Sequence, residues 1–338
     1  MKIIKGSTYV IMFNSETGFE ILQGVNGNPD PFSLDFPSLL DIGIMGHCLN
    51  RCPVCYQGDD EQPHMELETF KKIIDQAKNH VTQIALGGRG DPNLHPNFGE
   101  IISYARTNGV VPNYTTSGNS LTDGQIELSK ICGACAVSDY DRPFTYSAIN
   151  RFIDSGIKTN IHFILSTERF ERACRLLDGE DIWNGQFDIS KLNAVVFLLF
   201  KPQGRSKNRY DLIPSDDQIK IFIDKLRAGK TQFKMGVDSC LVNRIKRITE
   251  LTGIEDVCLD TCEASRASMY ITPDGKVVPC SFACYSSHGV QITDDNPIQK
   301  IWNESESFIG CREFLRNHNT SCPFQLEDIS ETIEENCG

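Results

Sequence analysis

The chain has 338 residues, 40% of them hydrophobic and 23% charged, which is the balance of a globular protein with room for more than one domain. Its formal net charge of -12 argues against nucleic acid as the main partner, because a nucleic-acid backbone selects a basic protein surface. No apolar run approaches the length of a membrane span, and the N-terminal residues contain no signal-peptide core. We therefore expect a cytoplasmic protein that does not bind a membrane.

Residues 1–38 are predicted to form an N-terminal β-hairpin followed by a connector. Two apolar stretches at 8–13 and 18–22 flank a polar turn at 14–17, and a segment containing proline and glycine follows at 24–37. The hairpin is either a structural addition to the next domain or an element that docks a substrate.

Residues 39–235 repeat the pattern of strand, loop and helix. The predicted strands lie at 39–45, 81–86, 110–115, 134–138, 160–165 and 193–200. The predicted helices lie at 65–77, 98–108, 122–132, 146–154, 169–178 and 216–228. Continuous apolar strands that alternate with amphipathic helices indicate an α/β fold with a parallel sheet covered by helices. Such sheets carry their chemistry at the carboxyl ends of the strands, where this chain places cysteines, glycines and polar residues.

Residues 236–338 are predicted to form a small cysteine-rich domain in which the strand–helix repeat has stopped. Residues 270–279 are typical of a hairpin that turns at Asp274 and Gly275. Because such a module has little apolar core of its own, we expect a metal centre to stabilise it.

Cysteine is unusually frequent, at fourteen residues. Cys132, Cys135 and Cys174 lie in or beside apolar segments, so we expect all three in the core. Eight others follow residue 235: Cys240, Cys258, Cys262, Cys280, Cys284, Cys311, Cys322 and Cys337. Disulfides would require an oxidising compartment, so this uneven distribution favours metal or iron–sulfur ligation in a reducing cell.

The remaining three cysteines directly follow the first strand of the repeat. Cys48, Cys52 and Cys55 have the spacing C-x3-C-x2-C. Three thiolates in one short loop can converge on an inorganic centre, but a closed zinc site or an ordinary four-iron cluster needs a fourth ligand. Either a distant residue supplies that ligand, or the position stays open for a molecule that reacts. A zinc knuckle is the alternative interpretation of the spacing.

The triad and its position resemble the signature of the radical S-adenosylmethionine (radical SAM) superfamily. The resemblance implies a partial (β/α)6 barrel over residues 39–235 and a [4Fe-4S] cluster held by the three cysteines. In that family the fourth iron binds SAM, and an electron from a donor such as a flavodoxin or ferredoxin cleaves SAM to a 5′-deoxyadenosyl radical that abstracts a hydrogen atom from the substrate.

The same resemblance implies which residues contact SAM. The segment from Gly87 to Pro92 is similar to the family's glycine-rich motif, so the backbone of the glycines would approach SAM and the Asp91 carboxylate would accept a hydrogen bond from its ammonium group. Aspartate replaces the more usual glutamate, and Val54 replaces an aromatic residue for which Tyr56 could substitute. The full set of expected SAM contacts is Gly87, Gly88, Gly90, Asp91, Tyr56, Ser117, Ser138 and His162.

The C-terminal region is similar to the SPASM and twitch modules that carry auxiliary clusters. The similarity rests on the spacing Cys262-x12-Gly275-x4-Cys280, with Cys322 farther along. A full SPASM module has a further C-x2-C-x5-C-x3-C run, which this chain lacks, so the resemblance implies one auxiliary [4Fe-4S] cluster. Its expected ligands are Cys262, Cys280, Cys322 and Cys258, with Cys240, Cys284 and Cys311 as other candidates for the fourth position. Structural zinc is the alternative.

One cysteine without a metal could instead donate a hydrogen atom to a substrate radical. Cys240 is the residue to which we assign that catalytic role.

Radical SAM enzymes with such tails often modify ribosomally synthesised peptides by cross-linking, epimerisation or oxidation. We expect that activity here, because the N-terminal hairpin could bind a leader peptide by strand addition. The alternatives are a radical SAM dehydrogenase or epimerase of a small molecule, and a non-catalytic metal-binding interaction module. A nucleic-acid-modifying enzyme is disfavoured by the acidic composition.

Overall fold

The computed structural model describes residues 1–58, 61–252, 262–283, 288–318 and 321–324. Within these residues the strands form two sheets, one of three strands and one of ten. None of the described helices is both long and apolar enough to cross a lipid bilayer.

The N-terminal region is a small antiparallel sheet. Its strands are β1 (Lys2–Lys5), β2 (Tyr9–Phe13) and β3 (Glu20–Gly24), in the order β1-β2-β3. The predicted hairpin corresponds to β2 and β3 and is confirmed. The prediction omitted β1. Its four residues are two isoleucines between two lysines, and this segment is too short to show the alternation of apolar and polar residues that indicates a strand.

This small sheet lies against the amino-terminal ends of the barrel strands. The Lys2 ammonium donates to the carbonyl oxygens of Lys78 and Val81, at 2.7 and 2.6 Å, and the Thr82 hydroxyl donates to the Glu20 carboxylate at 2.6 Å. Lys78, Val81 and Thr82 all precede the second barrel strand. A peptide that added a strand to this sheet would therefore lie at the opposite end of the barrel from the loop that carries Cys48, Cys52 and Cys55.

The main sheet contains the six predicted parallel strands, each beside the next in sequence. They are β4 (Leu39–Gly46), β5 (Gln83–Arg89), β6 (Val111–Thr116), β7 (Cys135–Ser138), β8 (Thr159–Leu165) and β9 (Ala194–Leu199). The helices that follow them are α1 (Leu67–Ala77), α2 (Phe98–Thr107), α3 (Asp123–Ser129), α4 (Pro143–Asp154), α5 (Phe170–Leu177) and α6 (Asp216–Ala228). All six predicted units are present, and the partial barrel is confirmed.

Side-chain periodicity explains how helices and strands pack. Phe70, Ile73 and Ile74 occupy one face of α1 and are fully buried against the sheet. On β8, Ile161 and Phe163 are fully buried, whereas alternate residues of the strand are only half-buried. These half-buried positions line the concave side of the barrel, which is the side that a substrate can enter.

The strand–helix pattern continues beyond the point at which it was predicted to stop. β10 (Lys234–Val237) pairs in parallel with β9, and α7 (Ser239–Thr252) follows it. β10 is short, contains Gly236 and has no continuous apolar run, so its sequence does not indicate a buried strand. As a result, the loop between β10 and α7 belongs to the carboxyl edge of the barrel.

The C-terminal module is joined to the barrel by backbone hydrogen bonds. β11 (Ser268–Ile271) pairs in parallel with β4, and β12 (Lys276–Val278) and β13 (Val290–Gln291) continue the sheet. The predicted turn between β11 and β12 is confirmed, with Gly275 at φ 80°. Two helices, α8 (Ile298–Glu304) and α9 (Glu306–Asn317), pack behind it. The module therefore stands beside the strand that leads into the cysteine triad.

Candidate active site

The triad lies in a turn at the carboxyl end of β4. The backbone N–H of Cys55 donates to the carbonyl of Cys52 at 3.2 Å, and Arg51 adopts a left-handed conformation with φ 42°. The N–H of Asn50 points at the Cys48 sulfur at 3.4 Å. The three thiols are partly exposed and none of them is in a disulfide. The turn thus presents three thiols to a common space.

The chemistry of this thiol set fits a metal cluster. Burial raises the pKa of the Cys52 thiol, a hydrogen bond with Tyr140 opposes that shift, and nearby Cys48 and Cys55 raise the pKa further. Three thiolates so close repel one another, and a bound cationic centre relieves that repulsion. No three Cys, His, Asp or Glu side chains in the described ranges converge closely enough to hold a single metal ion. A four-iron cluster differs in that each thiolate binds a separate iron, so its ligands stand farther apart.

The loop after β9 is hydrogen-bonded to the cysteine loop. The backbone N–H of Arg205 donates to the carbonyl of Cys55 at 2.9 Å, and its guanidinium donates to the carbonyl of Cys52 at 3.3 Å. Gly204 lies so close that a Cβ atom there would stand 2.4 Å from the carbonyl carbon of Tyr56. Any side chain at position 204 would displace the cysteine loop, so glycine is required.

Asp91 is the centre of a buried polar network next to the triad. Its carboxylate accepts hydrogen bonds from the backbone and the hydroxyl of Ser117, at 2.7 and 2.5 Å. The Asn50 amide donates to Ser117 Oγ at 2.8 Å, and the Asn119 amide donates to Asn50 Oδ1 at 2.7 Å. Burial raises the pKa of Asp91, although the hydrogen bonds from Ser117 oppose that shift. Sequence reasoning identified Asp91 and Ser117 but missed Asn50, whose position inside the C-x3-C spacing was the available signal.

A cavity of about 200 Å³ opens beside this network. It is lined by Cys48, Asn50, Asp91, Asn119, His47 and His64, among others. A carboxylate and two amide side chains suit a ligand that carries an ammonium group, next to a thiol of the triad. A second cavity, at Cys48 and Cys55, is lined by Arg51, Arg89 and Arg205, whose guanidinium groups suit a carboxylate.

Two glycines of the Gly87–Pro92 segment are required by packing against the cysteine loop. A Cβ atom on Gly90 would lie 2.5 Å from the carbonyl oxygen of His47, and one on Gly88 would lie 2.5 Å from that of Met45. Both have positive φ angles, 109° for Gly88 and 113° for Gly90. Gly87 has no such restriction. The direct contact of these glycines with SAM stays a prediction.

The other predicted SAM contacts lie in different surroundings. Ser138 and His162 are register partners on β7 and β8 and face the concave side of the sheet. Burial lowers the pKa of His162 to about 4, so its imidazole is neutral near pH 7. The Tyr56 ring packs against Phe282 of the C-terminal module, with ring centroids 4.6 Å apart. Contact of Ser138, His162 and Tyr56 with SAM stays a prediction.

His95, in the loop between β5 and α2, is buried. It is 5% exposed, and its Nε2 atom lies 3.0 Å from the carbonyl oxygen of Met65. Its Nδ1 atom accepts a hydrogen bond from the backbone of Asn97 at 3.0 Å. The histidine thus connects the start of α1 to the loop before α2, a tertiary role that its polar sequence context does not reveal.

Asp41 is a barrel residue that the sequence analysis missed. It lies on β4, and its Oδ1 atom is 4.0 Å from the position that a Cβ of Gly87 would occupy. In the part of the chain that the structure describes, its carboxylate has no hydrogen-bond or ion-pair partner. Burial raises its pKa to about 7. An acid inside a run of apolar strand residues was the signal that could have identified it.

A second group of thiols gathers in the C-terminal module. Cys262 precedes β11, Cys280 follows β12, Cys322 follows α9, and Cys240 lies in the first turn of α7. Burial raises the pKa of Cys240, and the Cys280 and Cys322 thiols act on it through space. Burial also raises the pKa of Cys262 to about 12, again with Cys322 nearby. Each of these four thiols therefore has at least one other of the four nearby.

Of the seven remaining cysteines, one neighbours these four thiols, three pack in or on the core, and three lie outside the described residues. Cys311 lies beside Cys322, and burial raises its pKa to about 11. Cys258, Cys284 and Cys337 are the three outside the described residues. Cys135 and Cys174 are buried as predicted, and Cys132 packs at the edge of the core.

Comparisons with known proteins match both parts of the chain. The model of the SPASM iron–sulfur cluster-binding domain matches residues 262–325. The mycofactocin maturase MftC of Mycolicibacterium smegmatis is 25% identical over 83% of this chain and 74% of its own length. The PqqA peptide cyclase of Streptomyces rochei is 21% identical over 86% of this chain and 83% of its own length.

A solved structure shares the fold. SuiB of Streptococcus suis superposes with a TM-score of 0.68 at 14% identity, covering 93% of this chain and 91% of SuiB. Its complex with the precursor peptide SuiA superposes with a TM-score of 0.64 at 16% identity, covering 83% and 68%. The triad on β4, the partial barrel, the SPASM match and these similarities together support a radical SAM enzyme with a C-terminal SPASM domain that uses SAM and [4Fe-4S] clusters.

Proposed function

We propose that this enzyme modifies a ribosomally synthesised peptide by abstracting a hydrogen atom from it. The observation that supports this most is that the similarity to a PqqA peptide cyclase and a mycofactocin maturase extends over both the barrel and the C-terminal module. A small-molecule substrate is the second candidate. A flavodoxin or ferredoxin would supply the electron, and the clusters require a reducing compartment, the cytoplasm.

Cys48, Cys52 and Cys55 would hold the cluster that binds SAM. Reduced, that cluster supplies the electron that cleaves SAM and so begins hydrogen abstraction. The chain's own residues position SAM: Ser117 and Asn50 hold the Asp91 carboxylate at the 200 Å³ cavity, where it would accept a hydrogen bond from the ammonium group. Arg205 keeps the cysteine loop in place by binding its carbonyl oxygens.

For the auxiliary cluster we assign Cys240, Cys262, Cys280 and Cys322 as ligands. The support is the proximity of Cys240 to Cys280 and Cys322 and of Cys262 to Cys322. Cys240 lies near two of these thiols, which suits a ligand better than the hydrogen-atom donor that we first expected. Cys258 was predicted as the fourth ligand and lies outside the described residues.

Full-length protein, reconstituted without oxygen and supplied with iron and sulfide, is expected to bind about eight irons and to form 5′-deoxyadenosine from SAM after reduction. With a short peptide encoded beside its gene, it should remove hydrogen atoms from the peptide, detected by mass spectrometry. Transfer of deuterium from the labelled peptide into 5′-deoxyadenosine would identify the position attacked.

Each readout tests a different part of the proposal. Binding of only about four irons would contradict the two-cluster assignment. Absence of 5′-deoxyadenosine would contradict the radical mechanism. Formation of 5′-deoxyadenosine without any change in the peptide would favour a small-molecule substrate.

Cys240→Ala is expected to reduce the iron content from about eight to about four, because the auxiliary cluster would lose one of its four proposed thiolate ligands, whereas the triad loop is unchanged. Iron analysis and electron paramagnetic resonance (EPR) spectroscopy of the reduced protein measure the loss. Cys174→Ala, which removes a core thiol, is the matched control and should retain all the iron. If Cys240→Ala retains about eight irons while Cys258→Ala loses half of them, Cys258 is the ligand and Cys240 is available as a hydrogen donor.

A further inference from the structure

The loop after β9 contacts both thiol sites, and we call residues 201–206 the bridge loop. At one end, Gly204 and Arg205 pack against the backbone of Cys55 and Tyr56. At the other end, the side chain of Lys201 is buried, with 7% of its surface exposed. The loop therefore connects the SAM site to the interior of the C-terminal module.

The Lys201 ammonium lies in a defined pocket between the two sites. Its Nζ atom donates to Asp238 Oδ2 at 2.6 Å and lies 4.4 Å from the ring centroid of Phe282. Phe282 is the ring that packs against Tyr56, the residue after Cys55. The ammonium is thus held between the loop that carries the triad and the loop that follows Cys280.

Asp238 is itself fixed by the backbone. Its Oδ1 atom accepts hydrogen bonds from the N–H groups of Leu199 and Leu241, at 3.2 and 2.8 Å, so it caps the start of α7. Cys240 lies in that first helical turn. The carboxylate therefore sets the position of the ammonium relative to Cys240.

Lys201 lies near two of the proposed ligands of the auxiliary cluster, Cys240 and Cys280. Its ion-pair partner Asp238 caps the helical turn that contains Cys240, and the Phe282 ring that faces the ammonium is two residues after Cys280. The ammonium also interacts through space with both thiols. A buried ion pair is costly to desolvate and is rarely retained for stability alone. The Lys201 ammonium therefore adds a positive charge beside these two thiols, in a buried region where water screens charge poorly.

We propose that Lys201 raises the reduction potential of the auxiliary cluster, and that Asp238 positions Lys201 and offsets part of its charge. The inference rests on the proposed assignment of Cys240, Cys262, Cys280 and Cys322 as ligands. One-electron reduction adds a negative charge to a four-thiolate cluster, so a nearby cation favours the reduced form and a nearby anion opposes it. The electron comes from the physiological donor, or from dithionite in the laboratory.

The test is an EPR-monitored redox titration of full-length reconstituted protein in a Cys52→Ala background, in which only the auxiliary cluster contributes. Lys201→Met is expected to shift the midpoint potential to a more negative value, with a several-fold fall in the ratio of reduced to oxidised cluster at a fixed potential. Asp238→Asn is expected to shift it in the opposite direction. Lys201→Arg should retain most of the wild-type potential.

Lys225→Met is the matched control, because Lys225 also pairs with an aspartate, Asp178, but lies on the outer helix α6. The inference is overturned if Lys201→Met and Asp238→Asn retain about four irons each and titrate like the control, although the ligand assignment would then survive. Shifts of the same sign in both variants would also overturn it, since disturbed packing and not charge would be the cause. Iron missing already from the Cys52→Ala parent would overturn the ligand assignment together with this inference.

Discussion

Cys52→Ala is expected to abolish the formation of 5′-deoxyadenosine while about four irons per chain remain bound in the C-terminal module. Cys52 is held by groups on both sides: its thiol interacts with Cys48, Cys55 and Tyr140, and the Arg205 guanidinium donates to its carbonyl oxygen. With two thiolates left on the loop, a cluster with an open iron has too few protein ligands to stay assembled. Chromatography of the nucleoside product and iron analysis of the same sample measure both effects.

Cys132→Ala provides the control, because it removes a partly buried thiol that packs on the core outside both sites. That variant should retain about eight irons and the full rate of SAM cleavage. Residual 5′-deoxyadenosine in Cys52→Ala, above the level without enzyme, would show that Cys52 is not a required ligand.

Asp41→Asn is expected to stabilise the protein by about 2–4 kcal/mol at pH 8 and by much less near pH 5. Burial raises the pKa of this carboxyl from 3.8 to about 7 in the folded chain. The folded state therefore retains a proton that the unfolded state has lost between about pH 4 and pH 7, so wild-type stability falls as pH rises through that interval and levels off above it. The amide cannot ionise and escapes this loss.

Urea unfolding of the purified full-length protein at several pH values measures the effect. The informative quantity is the difference in unfolding free energy between variant and wild type, because other groups titrate in both proteins. Asp154→Asn, at an exposed position at the end of α4, is the matched control for replacing an aspartate by its amide. A difference for Asp41→Asn that is constant from pH 5 to 8 would mean that the carboxyl ionises normally in the fold.

Local sequence was sufficient to predict the barrel. The helical period that puts Phe70, Ile73 and Ile74 on one face of α1 is visible within a dozen residues, and so is the apolar run of β9. The triad was equally local, because its three cysteines occupy eight consecutive positions of the chain. Patterns of this kind involve only neighbouring residues, so they can be recognised without knowledge of the tertiary structure.

The remaining features depend on packing between distant segments. Cys240 joins Cys280 and Cys322 only because α7 begins beside the C-terminal module, and its own sequence context is that of an ordinary amphipathic helix. The burial of His95 against Met65 and the isolation of Asp41 arise in the same way. No spacing rule relates such residues, so single-sequence reasoning could name the cysteines as candidates but could not choose among them.

The pairing of β11 with β4 has a consequence for the order in which the protein matures. Leu39 and Ser268 are register partners although they lie far apart in sequence, and closing such a long loop is slow. During synthesis, β4 keeps an unprotected edge until residues 268–271 have left the ribosome, and open edges invite association with other chains. The triad loop, which follows β4 directly, therefore lies next to an open sheet edge until the C-terminal module is complete. Chains truncated before residue 268 are expected to aggregate through this edge.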